Sequence, residues 1–87
     1  MLNMMTESGS LYEINLEEKR IRRVTGNGPG TPRVGPDGEW RTFTDLHPAA
    51  PVVGASLLIM WRQNPETGVL ETTLTSPVQR VWDSEKS

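Results

Sequence analysis

Residues 56–75 read SLLIMWRQNPETGVLETTLT. Two runs rich in apolar and β-branched residues flank NPETG. Pro65 presets φ for the first turn position, and Gly68 supplies the left-handed residue that ends a four-residue loop. The stretch therefore predicts a β-hairpin with Asn64 opposite Val69. Continued along the strands, that register sets Arg62 against Glu71, Trp61 against Thr72 and Ile59 against Leu74. One face then carries Leu57, Ile59, Trp61, Leu70, Thr72 and Leu74, and is expected to be core. The other carries Leu58, Met60 and Arg62 against Glu71, Thr73 and Thr75. It is half apolar, so this strand is expected to lie centrally or to meet a partner with its outer face.

Period two recurs elsewhere. In SLYEINL, Tyr12, Ile14 and Leu16 share one face, and the basic run KRIRRV follows a short acidic turn. Pairing Asn15 with Arg20 sets Ile14 against Ile21, Glu13 against Arg22, Tyr12 against Arg23 and Leu11 against Val24. Apolar meets apolar and acid meets base, so a second hairpin is expected. EWRTFTDL alternates and reads as a strand. HPAAPVVG reads as an extended connection, with Val52 and Val53 entering a strand. VQRVW after Pro77 reads as a short last strand. No segment has the 3.6-residue apolar stripe of a helix. The expected class is all-β: a small, strongly bent antiparallel sheet or SH3-like barrel of five to six strands.

A chain of 87 residues allows one domain with one small core. Residues 10–83 are expected to form it, after a flexible N-terminus (1–9) and before a tail (84–87). There is no cysteine, which excludes disulfides and thiolate metal sites. A net charge of −2 gives no general attraction to nucleic acid or anionic membrane. The run ASLLIMW is far too short to span a bilayer, and MLNMMTESGS lacks the basic and apolar regions of a signal peptide. A cytoplasmic location is expected.

Four groups of residues are candidates for function. Residues 26–38, GNGPGTPRVGPDG, hold five glycines and three prolines. Pro29 and Pro32 remove donors that a phosphate cradle needs, and the glycines weaken a polyproline ligand. The loop is expected to be a long connector, with Arg33 at its tip, or a binding element. The basic run with its neighbours offers Arg20, Arg22, Arg23, Arg33 and Arg41, with Trp40 for stacking, as a nucleic-acid surface. Glu13, Glu17 and Glu18 beside the run favour an ion-paired face instead. Asp45 and His47, two apart, would share a strand face as an acid–base pair, or simply cap a turn. With one histidine in the chain, no catalytic, metal or cofactor role is expected. Leu58, Met60 and Trp82 are the candidates for a protein interface, because the SLLIMW strand is apolar on both faces.

Two resemblances add to this. TLTSPVQRV, a strand, a turn and a short strand, looks like the end of an SH3-like barrel, without the motif of a peptide groove. SLYEINLEEKRIRRVTGNG, DGEWRTF, LLIMWR and TTLTSPVQRV resemble small proteins of actinobacteria and their bacteriophages. That resemblance implies a cytoplasmic, non-enzymatic accessory or assembly role and assigns no functional residue. The expected function is a non-catalytic module that binds protein, including copies of itself. Nucleic-acid binding through the residue 20–23 strand is the alternative.

Overall fold

The alternating pattern folds into eight strands among residues 1–26 and 34–84, which the computed structural model describes. They are β1 (Leu2–Thr6), β2 (Leu11–Asn15), β3 (Arg20–Thr25), β4 (Arg41–Thr42), β5 (Asp45–His47), β6 (Leu58–Gln63), β7 (Leu70–Leu74) and β8 (Val78–Asp83). One antiparallel sheet runs β4-β3-β2-β1-β8 and a second runs β5-β6-β7. The chain is thus all-β and antiparallel, as the alternation predicts. Its strands are only two to six residues long, so eight fit where five or six were expected, and they divide into two sheets. No helix among the described residues is long and apolar enough to cross a membrane.

Neighbours in sequence are neighbours in space except at two corners, where the chain changes sheet. At the first, Phe43 N–H bonds Lys19 O (2.9 Å) beside β3, and Thr44 N–H bonds Met60 O (2.7 Å) on β6. At the second, Thr75 N–H bonds Leu57 O (3.0 Å), Val78 N–H bonds Ala55 O (2.9 Å) and Glu7 N–H bonds Pro77 O (2.9 Å). β8 then pairs with β1. The small antiparallel fold that the alternation predicts is thus built as two sheets stitched at these corners.

Both hairpins close with the same turn chemistry. Asn15 Oδ1 accepts from Glu18 N (3.0 Å), and Asn64 Oδ1 accepts from Glu66 N (2.8 Å). The last loop residue is left-handed in each, Lys19 at φ 55° and Gly68 at φ 74°. An Asn side chain that mimics a backbone turn needs this left-handed residue to return the chain to the opposite strand. The first hairpin keeps the expected register from Asn15–Arg20 to Tyr12–Arg23. A bulge then sets Leu11 against Thr25 in place of Val24.

The N-terminal segment differs from expectation. Residues 2–6 form a strand between β2 and β8, with bonds to a neighbour on each side. Leu2, Met4 and Thr6 face inward, and Met4 is completely buried. Asn3 points outward yet is also buried, and its Nδ2 donates to Ser84 Oγ (2.9 Å) and Met1 O (3.3 Å). A short segment with consecutive methionines shows no period-two signature, so only its pairing partners reveal the strand.

EWRTFTDL divides into β4 and β5 at the first corner. Val52 and Val53 lie exposed in a turn rather than in a strand. The core joins Met4, Tyr12, Ile14, Ile21 and Val78 of the first sheet to Leu46, Ile59 and Trp61 of the second, together with Val34, Phe43 and Leu57 of the connections. Val34, in the second half of the Gly/Pro-rich loop, is buried in that core. Arg33 and the rest of residues 27–33 lie outside the described residues, as do residues 85–87 of the expected tail. Ser84 of that tail is held, its N–H bonding Met1 O (2.9 Å).

Candidate interaction surface

Trp61 and Thr73 decide which residues the second sheet shows to solvent. Near the loop, Gln63 pairs with Leu70 as expected. Between Met60 and Gln63 the register shifts, so Met60 pairs with Thr72, Ile59 with Thr73 and Leu58 with Leu74. One slipped residue exchanges the two faces of a strand. The expected core positions Leu70 and Leu74 are therefore exposed, at 44% and 65%, while Thr73 and Thr75 are buried. The inward threonines are used. Thr73 Oγ1 accepts the indole N–H of Trp61 (2.8 Å), and Thr75 Oγ1 accepts Leu57 N–H (3.0 Å). A leucine offers neither acceptor, and a buried indole N–H without one costs about 1–3 kcal/mol.

The outer face of this sheet is built in rows. Asp45, Met60 and Thr72 form one, and His47, Leu58 and Leu74 the next. Leu58 and Met60 are half-buried in the middle strand, and Leu74 and Leu70 extend the apolar band along β7. Asp45 and His47 form the β5 border. Asp45 and His47 share this face, as their spacing predicts, and both are exposed. Asp45 Oδ1 accepts Leu46 N–H (2.9 Å) from the next residue of β5. Among the described residues, no group of three or more His, Cys, Asp or Glu could hold a metal.

Trp82 does not join that surface. It pairs with Asn3 on the outer face of the first sheet, where Arg80 stacks over its ring at 5.1 Å. The three interface candidates thus divide between two sheets. Leu70 and Leu74 were missed because the loop register was carried unbroken along the strand. The two threonines opposite an inward tryptophan were the available signal.

Arg20 and Arg22 sit on the first sheet's outer face, Arg41 lies on β4 opposite the inward Ile21, and all three are already occupied. Arg22 Nε donates to Glu13 Oε1 (2.6 Å), Arg20 pairs with Glu18 (3.0 Å) and Arg41 with Glu39 (3.3 Å). Trp40 lies under both Arg20 (5.3 Å) and Arg22 (4.8 Å). Arg23 is corrected outright. It points inward beside Tyr12 with its side chain 3% exposed, and pairs with Asp37 (3.4 Å). Gly26 leaves room for it, since a Cβ there would lie 2.6 Å from Arg23 Cζ.

Compared with known protein families, with curated proteins and with solved structures, the chain matches none.

Proposed function

We propose that this protein is a non-catalytic interaction module that associates with copies of itself through the outer face of the β5-β6-β7 sheet. One observation carries this reading: β7 and the residue after it bury Thr73 and Thr75, and β7 presents Leu70 and Leu74 to solvent. Covering the exposed parts of those leucines is worth about 1–2 kcal/mol each, scaled from full side-chain burial. Leu58 and Met60 make the band continuous, and Asp45 and His47 give it a polar border. A small core without disulfides gains stability from such association.

The ion pairs on the first sheet support the same reading over nucleic-acid binding. Arg20, Arg22 and Arg41 each have a carboxylate partner, and the cations over Trp40 compete with a stacking base. The resemblance to small actinobacterial and phage proteins would suit a cytoplasmic accessory or assembly role. Light scattering on the wild-type protein and on Met60→Glu tests the proposal. A dimer that becomes monomeric in the variant supports it. A wild-type monomer across the micromolar range contradicts it.

A further inference from the structure

The bulge in β6 also changes what faces inward. Met60 pairs with Thr72 and Gln63 with Leu70, so Trp61 and Arg62 together stand opposite Glu71 alone. A bulge of this kind re-aims the side chain of its extra residue. Glu71 lies between the outward Leu70 and Thr72, and alternation turns it toward the inside of the sheet. Arg62 and Glu71, which unbroken pairing would set against each other, line a shared cleft instead.

The cleft lies at the first corner, where the chain leaves one sheet for the other. Its volume is about 700 Å³, within the range of small-molecule sites. The buried Phe43 and Trp61 line its base. Thr44 closes that base, its hydroxyl donating to Trp61 O. Arg41 lines the cleft from β4, and its charge is met by Glu39 (3.3 Å). Arg62 and Glu71 are the two charges left. Among the described residues, neither side chain has a hydrogen-bond or ion-pair partner, and they do not pair with each other. Glu71 is half-buried, and a carboxylate withdrawn from water without a donor costs stability.

We propose that this cleft binds a free α-amino acid with an apolar side chain. The ligand's carboxylate meets the Arg62 guanidinium, its ammonium meets the Glu71 carboxylate, and its side chain lies over Phe43 and Trp61. A simple anion satisfies Arg62 and leaves Glu71 unmet, and a simple amine does the reverse. The two charges together therefore select the zwitterion. The proposal does not rest on self-association, because none of Leu58, Met60, Leu70 and Leu74 lines the cleft.

NMR titration of the isotope-labelled protein with L-phenylalanine tests it, beside three analogues that each lack one group. N-acetyl-L-phenylalanine lacks the ammonium, L-phenylalaninamide lacks the carboxylate and glycine lacks the side chain. Wild type should bind L-phenylalanine with a dissociation constant of about 1 mM or below, as suits a ligand this small, and the shifts should centre on Phe43, Trp61, Arg62 and Glu71. Each analogue should bind at least about tenfold more weakly, the worth of one charge-assisted hydrogen bond or one covered ring. Arg62→Gln and Glu71→Gln should each lose at least about tenfold toward L-phenylalanine for the same reason. Arg62→Gln should leave the affinity for the amide unchanged, and Glu71→Gln that for the N-acetyl form, because the contact is already missing. Absence of shifts in the cleft at about 10 mM L-phenylalanine, ten times the expected constant, overturns the proposal. So does an N-acetyl form that binds as well as the amino acid, which marks a site for simple anions. If Glu71→Gln fails to fold by circular dichroism, the N-acetyl form on wild type measures the same contact. A monomer that binds L-phenylalanine contradicts self-association alone, and a dimer that does not bind it contradicts this proposal alone.

Discussion

The indole N–H of Trp61 donates to the hydroxyl of Thr73 at 2.8 Å inside the protein. That contact fixes the register of β7, and the register sends Leu70 and Leu74 outward. Thr73→Val keeps the volume and removes the acceptor. It should destabilise the fold by about 1–3 kcal/mol, the cost of leaving a buried donor unsatisfied. Urea denaturation followed by Trp fluorescence checks this, and a loss within experimental error would show that another feature holds the register.

β1 lies between β2 and β8, and Met4 is wholly buried there. Met4→Ala should cost about 2–5 kcal/mol. Met5→Ala, on the opposite face and half-buried, should cost less than about 1 kcal/mol. Equal effects in chemical denaturation would mean that the strand does not have its inward and outward faces as described.

The two hairpin turns differ in the residue that takes the left-handed conformation. Lys19 adopts the left-handed conformation that Gly68 adopts without strain. Lys19→Gly should stabilise the protein by up to about 1 kcal/mol, and Gly68→Ala should destabilise it by about 1 kcal/mol or more. Opposite signs in thermal melts are the expected signature. The contact from Lys19 Nζ to Thr44 O (3.2 Å) is exposed and works against the first gain.

Hairpin one was legible because its pairs are complementary. Glu13 with Arg22 and Ile14 with Ile21 admit one register, and the turn of hairpin two announces itself through Pro65 and Gly68, whereas the left-handed Lys19 of the first turn does not show in its residue type. Hairpin two was legible near its loop only. A bulge has no composition, so its one-residue slip appeared in the contact between Trp61 and Thr73 and not in the alternation. β1 was hidden for a different reason. Central strands are defined by neighbours on both sides, and its partner β8 lies at the far end of the chain. Leu58 and Met60 were set on the outer face by their parity, and they lie there half-buried. Leu70 and Leu74 were lost to the core by the same parity, carried past the bulge.

Oligonucleotide binding provides an independent check on the basic face. Arg20, Arg22 and Arg41 each have a carboxylate partner, and Arg23 is buried. Few counterions would be released, so any binding of single-stranded DNA should be weak and only shallowly dependent on salt. A steep loss of affinity with rising salt would show that these arginines exchange carboxylates for phosphates.

The most direct measurement is the solution mass of the wild-type chain beside Leu74→Glu, by size-exclusion chromatography with light scattering at micromolar concentration. Self-association through the outer face of β5-β6-β7 predicts twice the 9.7 kDa chain mass for wild type, and 9.7 kDa for a folded Leu74→Glu. A wild-type mass of 9.7 kDa, or an unchanged dimer in Leu74→Glu, would contradict it.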